Sequence, residues 1–280
     1  MLEDFALFII SHNRPINMTW KTLQKCNYKG PFYFILDDKD RKIKSYQKLY
    51  GAEHVKIFNK EKMRSCTNMM DNFENYTTDV FARNACYDIA EEIGITYFLV
   101  LDDDYDQFRL RFPNEKTLLV MHSKNLEKII DCCLNYYKKC KGITILAMCQ
   151  GSDLQSIQTG KVLRKAMNAF FCSVERRVYF NGTMNGDVNT YTRYNQLGYV
   201  FMSLPNVHLN QLPTQTGGAV TGNYLKYGTY GKTFYSVMQC PTFVKVSTFS
   251  KGFRMSAFRI HHKITSRYGY AKILSDKYKK

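Results

Sequence analysis

Short apolar runs alternate with helical segments over the first hundred residues, and this pattern constrains the fold of the chain more than any other. "FALFII" (5–10), "FYFIL" (32–36), "HVKIF" (54–58) and "YFLVL" (97–101) have the length and composition of buried strands. Between them, "NMTWKTLQKCNY" carries apolar residues at roughly helical spacing and stops at Gly30-Pro31. "RKIKSYQKLYG" reads as a short helix closed by Gly51, and "TDVFARNACYDIAEEIG" as an amphipathic helix stopped by Gly94. Strands alternating with helices predict an α/β layer, Rossmann-like, with a mostly parallel central sheet and helices on both faces. Ligands bind such sheets at the carboxyl ends of the strands. Three of the runs end in polar clusters, at Ser11–Arg14, Asp37–Asp38 and Asp102–Asp104, so a nucleotide site is expected along that edge.

After residue 110 the pattern changes. "NLEKIIDCCLNYYKKC" predicts a helix and "GITILAM" a strand. The text to residue 260 is rich in Gly, Thr, Asn and Tyr, with β-like runs "RRVYF", "YVFMSL", "FVKVS" and "FRIHHKI". No internal repeat or linker divides the chain. One domain over 1–280 is expected, with a nucleotide half at about 1–110 and a β-rich acceptor half at about 111–280.

The apolar share of 45% marks a folded globular chain, and 40 Lys and Arg against 24 Asp and Glu give a net charge of +16. That excess favours a polyanionic partner, nucleic acid before an anionic membrane surface, with a plain solubility charge as the alternative. The nine cysteines form no CxxC and no even framework, which points to reduced core thiols in a cytoplasmic compartment. "MLEDFALFII" opens with acids and is too short in its apolar run for a signal peptide or a membrane span. The sequons at Asn17, Asn75 and Asn181 then read as chance matches.

"YFLVLDDDYDQF" holds the sharpest chemical signal. Carboxylates this close repel unless they are solvated or share a cation. A D-x-D pair at the end of a buried strand suits a hard divalent cation, Mg²⁺ or Mn²⁺, which would bridge a diphosphate and stabilise it as a leaving group. A solvated turn or a helix N-cap is the competing reading.

"FALFIISHNRP", "FYFILDD", "ARNACYDIAEEIG", "YFLVLDDDY" and "FRIHHKI", in this order, resemble the TET-associated glycosyltransferases. The resemblance covers nearly the whole chain. It implies the GT-A glycosyltransferase fold, a UDP-sugar donor, a divalent metal and an acceptor in phage DNA, the hydroxymethyl group of a 5-hydroxymethylpyrimidine, 5-hydroxymethylcytosine foremost. It also implies a phage protein acting in the cytoplasm of the host.

Carried over by residue, the resemblance makes Asp104 the main metal ligand and puts Asp102 at the ribose or a metal-bound water. Ser11, His12 and Arg14 face the nucleotide, and Asp37 or Asp38 accepts from uracil or ribose. Arg83 and Asn84 reach the base or diphosphate, while Asp103 belongs to the same acidic group or turns away. One of His261 and His262 completes the metal shell; on a strand the two point to opposite faces. Asp187, in the Gly- and Asn-rich loop "NGTMNGDVNTYTR", resembles the acid of inverting enzymes and would be the general base of an inverting transfer; a retaining transfer, equally open on the sequence, needs no base in that role. "TQTGGAVTGNY" reads as an open loop that lets backbone approach a sugar or base.

"GTYGKT" fails as a P-loop because the first glycine of that motif would fall at Lys226, although Lys232 remains available to phosphate. From Lys251 to Lys280 nine Lys and Arg face the single acid Asp276, interleaved with aromatics. Arg254, Arg259, Lys263 and Arg267 are therefore expected on a DNA-facing surface, since basic side chains track phosphates while aromatics stack on bases. A protein or polysaccharide acceptor, or an inactive DNA-binding module on the same fold, are the other readings.

Overall fold

The computed structural model describes residues 4–72, 77–113, 118–122, 124–150, 166–167, 169–211, 221–250 and 258–265. The first four strands are β1 Phe5–Ile10, β2 Phe32–Asp37, β3 Val55–Phe58 and β4 Tyr97–Leu101. They alternate with α1 Met18–Lys25, α2 Ile43–Tyr50, α3 Lys60–Cys66 and α4 Val80–Glu92. β1 pairs in parallel with both β2 and β4, and β2 in parallel with β3. Every residue of β1 is buried because both faces of the sheet are covered.

The second half adds β5 Tyr105–Pro113, β6 Leu118–His122, α5 Leu126–Lys139, β7 Ile143–Gln150, β8 Phe170–Ser173, α6 Gly186–Gln196 and β9 Val200–Gln211. Phe5, Leu7 and Ile9 join the core under α1, α2 and α5, while Ala6, Phe8 and Ile10 join the core under α4 and α6. The nine-stranded sheet runs β3-β2-β1-β4-β8-β7-β9-β5-β6. β7 and β9 are parallel, whereas β8 lies antiparallel between β4 and β7, and β5 and β6 form an antiparallel edge beside β9. The sheet is therefore parallel through its first half and mixed through its second. β5 follows β4 directly in the chain yet pairs with β9 and β6, with three strands between it and β4 across the sheet. Last come α7 Thr221–Gln239, with a non-helical break at Gly228, and a separate two-stranded ribbon of β10 Val244–Ser250 and β11 Phe258–Ile264.

Several local expectations are corrected. "RRVYF" is not a strand: a 3₁₀ turn occupies Val174–Arg176, and the backbone N–H and C=O of Phe180 bond the Asn84 amide instead of a neighbouring strand. Asp187 lies in the first turn of a helix, not in a loop. The open loop expected over Thr214–Tyr224 becomes helix from Thr221, and 214–220 lie outside the described residues. Helix α3 and strands β5, β6 and β8 were not anticipated. All nine cysteines are free, yet Cys66 and Cys132 are exposed rather than in the core. Asn17 and Asn181 are buried, which suits chance sequons, and Asn75 lies outside the described residues. Among the described residues no helix is long and apolar enough to cross a membrane.

Candidate active site

The carboxyl ends of β1, β2 and β4 meet, as the polar clusters predicted. The backbone of the acid turn after β4 is stapled to α1. Thr19 Oγ1 donates to the Asp102 carbonyl at 2.6 Å and accepts from the Tyr105 N–H at 2.9 Å, and Thr22 Oγ1 donates to the Asp106 carbonyl at 3.1 Å. α1 is itself started by Asn17, whose side chain accepts the Trp20 N–H at 2.8 Å. The three adjacent acids then point to three different sets of partners.

Asp103 turns toward the loop after β1, not away from it. Ser11 Oγ donates to Asp103 Oδ2 at 2.7 Å and Arg14 Nη1 reaches Asp103 Oδ1 at 3.0 Å. The Tyr46 hydroxyl lies 2.7 Å from Ser11 Oγ and accepts the Arg14 N–H at 2.9 Å. Ser11 and Arg14 thus hold the acid turn in place.

Beside them His12 Nδ1 lies 2.7 Å from Asp37 Oδ2, and Lys60 Nζ is 3.7 Å from the same oxygen. Burial pushes the Asp37 carboxyl up, but the His12 hydrogen bond and the Lys60 charge outweigh it, so its pKa falls below the ordinary value. Asp38 accepts the Lys60 N–H at 3.1 Å and Asn59 Nδ2 at 3.2 Å, at the start of α3. Of the two acids, Asp37 pairs with His12, whereas Asp38 serves the helix terminus.

Arg83 is 2% exposed. Its Nη2 donates to Asp102 Oδ1 at 2.8 Å and its Nε to Asp79 Oδ2 at 2.7 Å, with the guanidinium 4.9 Å from the Phe170 ring centre. Burial disfavours the Arg83 charge, yet Asp102 and Asp79 more than compensate and raise its pKa. Neither Arg83 nor Asn84 lies on an open nucleotide surface: Asn84 spends its amide on Thr67 and Phe180. Asp79 carries no sequence signal beyond its i,i+4 spacing to Arg83.

Burial pushes the Asp102 carboxyl up to about 7 against the charge of Arg83, with Asp104, Asp79 and Asp103 adding repulsion. Asp104 is raised by burial too, opposed by Gln211, whose Nε2 donates to Asp104 Oδ2 at 3.0 Å. The other oxygen, Asp104 Oδ1, is buried with no hydrogen-bond partner among the described residues. Asp106, one acid further on, accepts Asn210 Nδ2 at 2.8 Å and so belongs to the β5–β9 pairing.

Asp187 enters the same electrostatic neighbourhood from the acceptor half. Burial raises its pKa, the Asp79 charge adds to this, and Lys232 and Arg83 oppose it. Asn185, left-handed at φ 54°, fixes the approach to α6 by donating to the Lys232 carbonyl at 2.9 Å and to Ser236 Oγ at 2.8 Å. Gly182, at φ +89°, passes so close to Asn189 and Tyr235 that a Cβ there would sit 2.8 Å from Asn189 Nδ2.

The acids fit a hard cation in part. Oxygen donors and one open, buried Asp104 oxygen are what Mg²⁺ or Mn²⁺ takes, and such ions commonly use one or two carboxylates and leave the rest to phosphate and water. Among the described residues no three His, Cys, Asp or Glu side chains form a ready-made shell, so neither His261 nor His262 is assembled with Asp102 and Asp104. The two histidines stand on β11, opposite Ser247 and Val246. Lys232 is half-buried near Asp187, and Lys263 is exposed on β11. Arg254 and Arg267 lie outside the described residues, and of Arg259 only the backbone, opposite Phe249, is described.

The chain is similar in structure to a mycobacterial protein (TM-score 0.48, 9% identity, 93% of this chain and 83% of that one). It is also similar to GalNAc-T7 with UDP, GalNAc and Mn²⁺ (TM-score 0.45, 12% identity, 82% of this chain and 49% of that one). A third likeness is to mannose-1-phosphate geranyltransferase from Thermus thermophilus (TM-score 0.36, 10% identity, 61% of this chain and 58% of that one). No curated protein matches the chain. The family model of the TET-associated glycosyltransferases matches residues 5–219, most of the chain and all of the acid turn, Arg83 and Asp187. The protein therefore belongs to the TET-associated glycosyltransferase family and is a glycosyltransferase.

Proposed function

We propose that this glycosyltransferase is a metal-dependent GT-A enzyme that moves a sugar from a UDP-sugar to the hydroxymethyl group of a 5-hydroxymethylpyrimidine in DNA, 5-hydroxymethylcytosine foremost. The observation that carries the reading is the run of charged side chains from Asp104 and Asp102 through Arg83 and Asp79 to Asp187. It brings donor-side acids and an acceptor-side carboxylate, each partly buried, into one charged neighbourhood around the buried Arg83. Residues 1–110 form the donor half and 111–280 the acceptor half of a single domain.

Asp104, with Asp102, would hold Mg²⁺ or Mn²⁺, whose charge stabilises the departing diphosphate. Burial raises the proton affinity of Asp102 against the Arg83 charge, and the neighbouring Asp104, Asp79 and Asp103 add repulsion that a bound cation would relieve. His12 and Asp37 lie on the nucleotide side, and Ser11 and Arg14 keep the acid turn in register. Asp187 takes the proton from the hydroxymethyl oxygen as that oxygen bonds to the anomeric carbon, while the bond from that carbon to UDP breaks and UDP leaves with its electron pair. Its raised proton affinity suits a base. The net charge of +16 supports a nucleic-acid acceptor, and nine free cysteines suit a reducing cytoplasm.

The test incubates the protein with Mn²⁺, duplex DNA containing 5-hydroxymethylcytosine and a panel of UDP-sugars, followed by nucleoside mass spectrometry. A gain of one hexose or pentose, lost on chelation and in Asp104→Ala with DNA affinity retained, is the expected result. Full activity of Asp104→Ala sinks the metal assignment. DNA binding with no mass gain from any donor identifies an inactive module instead.

A further inference from the structure

The β10–β11 ribbon stands outside the nine-stranded sheet and beyond the family-matched residues 5–219. Its root is anchored: Val244 is fully buried, Ile264 packs on the core beneath α4 and α6, and the Thr265 N–H donates to the Phe243 carbonyl at 2.8 Å. Side chains alternate along a strand, so Val244 and Ile264 share one face while Lys245, Ser247, His261 and Lys263 share the other.

On that outer face Lys245 and Lys263 are direct cross-strand partners and both are exposed. Like charges directly opposite one another destabilise a ribbon unless an anion lies between or above them. Neither lysine is ion-paired among the described residues. His261 is diagonal to Lys245 on the same face and extends the line of cationic or hydrogen-bonding groups. A ribbon of two seven-residue strands is about 23 Å long and about 5 Å between strands, and the major groove of B-DNA, about 12 Å wide, admits such a ribbon. The 5-hydroxymethyl group projects into that groove. The helix that backs the ribbon, α7, also bears Lys232, whose charge acts on Asp187, and it bonds Asn185 at the start of α6, so the ribbon is joined through α7 to the helix that carries the candidate base.

We propose that the β10–β11 ribbon is the element that grips duplex DNA, laying its Lys245–Lys263 face against the phosphates that border the major groove. This rests on the DNA-acceptor reading above; it adds Lys245 and a docking geometry to it.

The test measures binding of the full protein to a duplex containing 5-hydroxymethylcytosine by fluorescence anisotropy, from 50 to 300 mM salt in steps, roughly the range over which counterion release is read. Lys245→Gln/Lys263→Gln is expected to bind about tenfold more weakly and to lose about two units of the log–log salt slope, near 0.9 per phosphate contact. Lys44→Gln/Lys48→Gln on α2 removes the same charge from another exposed surface and is expected to stay within about twofold. Equal losses in both variants, or none in the ribbon variant, overturn the proposal. In the unaltered protein, acetylation of Lys245 and Lys263 read by mass spectrometry is expected to slow when duplex is present; unchanged reactivity overturns it independently of any variant. Capture by anionic vesicles in place of duplex also overturns it. UDP binding with Mn²⁺, followed by calorimetry, separates the two readings. Transfer to DNA with an unimpaired ribbon variant sinks the ribbon alone, and ribbon-dependent duplex binding without transfer sinks the enzymatic reading alone.

Discussion

Arg83 Nη2 donates to Asp102 Oδ1 at 2.8 Å, from a side chain that is almost wholly buried. The pair joins α4 to the end of β4, and the same guanidinium holds Asp79. Removing one member of a buried pair strands the other charge in a poorly solvated place. We expect Arg83→Met to lose about 3 kcal/mol or more of stability, read as a lower urea midpoint at unchanged slope. An unaltered midpoint contradicts the buried pair.

Asp187 is held with its ionised form disfavoured by burial and by Asp79. Asp187→Asn is expected to lower kcat by about 100- to 10,000-fold, as loss of a general base does. DNA affinity and thermal midpoint should stay equal or rise, because a disfavoured charge is gone. A raised carboxyl pKa leaves the base protonated at low pH, so activity should fall as pH drops through that value. Unchanged kcat places the base elsewhere.

Asp37 tests the pH dependence of stability. Its folded pKa lies below the ordinary 3.8, so the ionised carboxylate favours the folded state. The contribution is complete above the unfolded value and disappears as pH falls through the lower folded one. As pH falls below the ordinary carboxylate value the wild type should lose stability more steeply than Asp37→Asn, measured by acid titration of circular dichroism. Identical acid profiles argue against the His12–Asp37 pair.

Thr19 has one hydroxyl serving two backbone groups of the acid turn. Thr19→Val keeps the shape and leaves the buried Tyr105 N–H unsatisfied, at a cost of about 1–3 kcal/mol. Calorimetry should also show weaker UDP binding with Mn²⁺, and Thr19→Ser should restore it. Retention of full affinity in the valine variant detaches turn geometry from donor binding.

The donor half was legible because β1 and β4 are buried on both faces and therefore read as unbroken apolar runs. α7 was not legible. Its Gly222, Gly228, Gly231, Thr and Tyr residues have weak helical preference, and packing of Thr233, Tyr235 and Ser236 against the rest of the fold overrides it. The acid turn stood out as charge at a strand end, but the division among its members did not. Asp103 meets Ser11 across 92 positions of sequence, and Asp104 meets Gln211 across 107.

By itself the sequence determined the strand–helix alternation, the polar ends that meet at one edge, the acid turn and the cationic excess, because periodicity and local charge are properties of neighbours in the chain. Only the tertiary structure decided that Arg83 is buried between Asp79 and Asp102, that Asp103 ties down the β1 loop, and that Lys245 faces Lys263. Those partners are set by strand order and ribbon register, which bring distant residues together at hydrogen-bonding range without any periodic trace in the sequence.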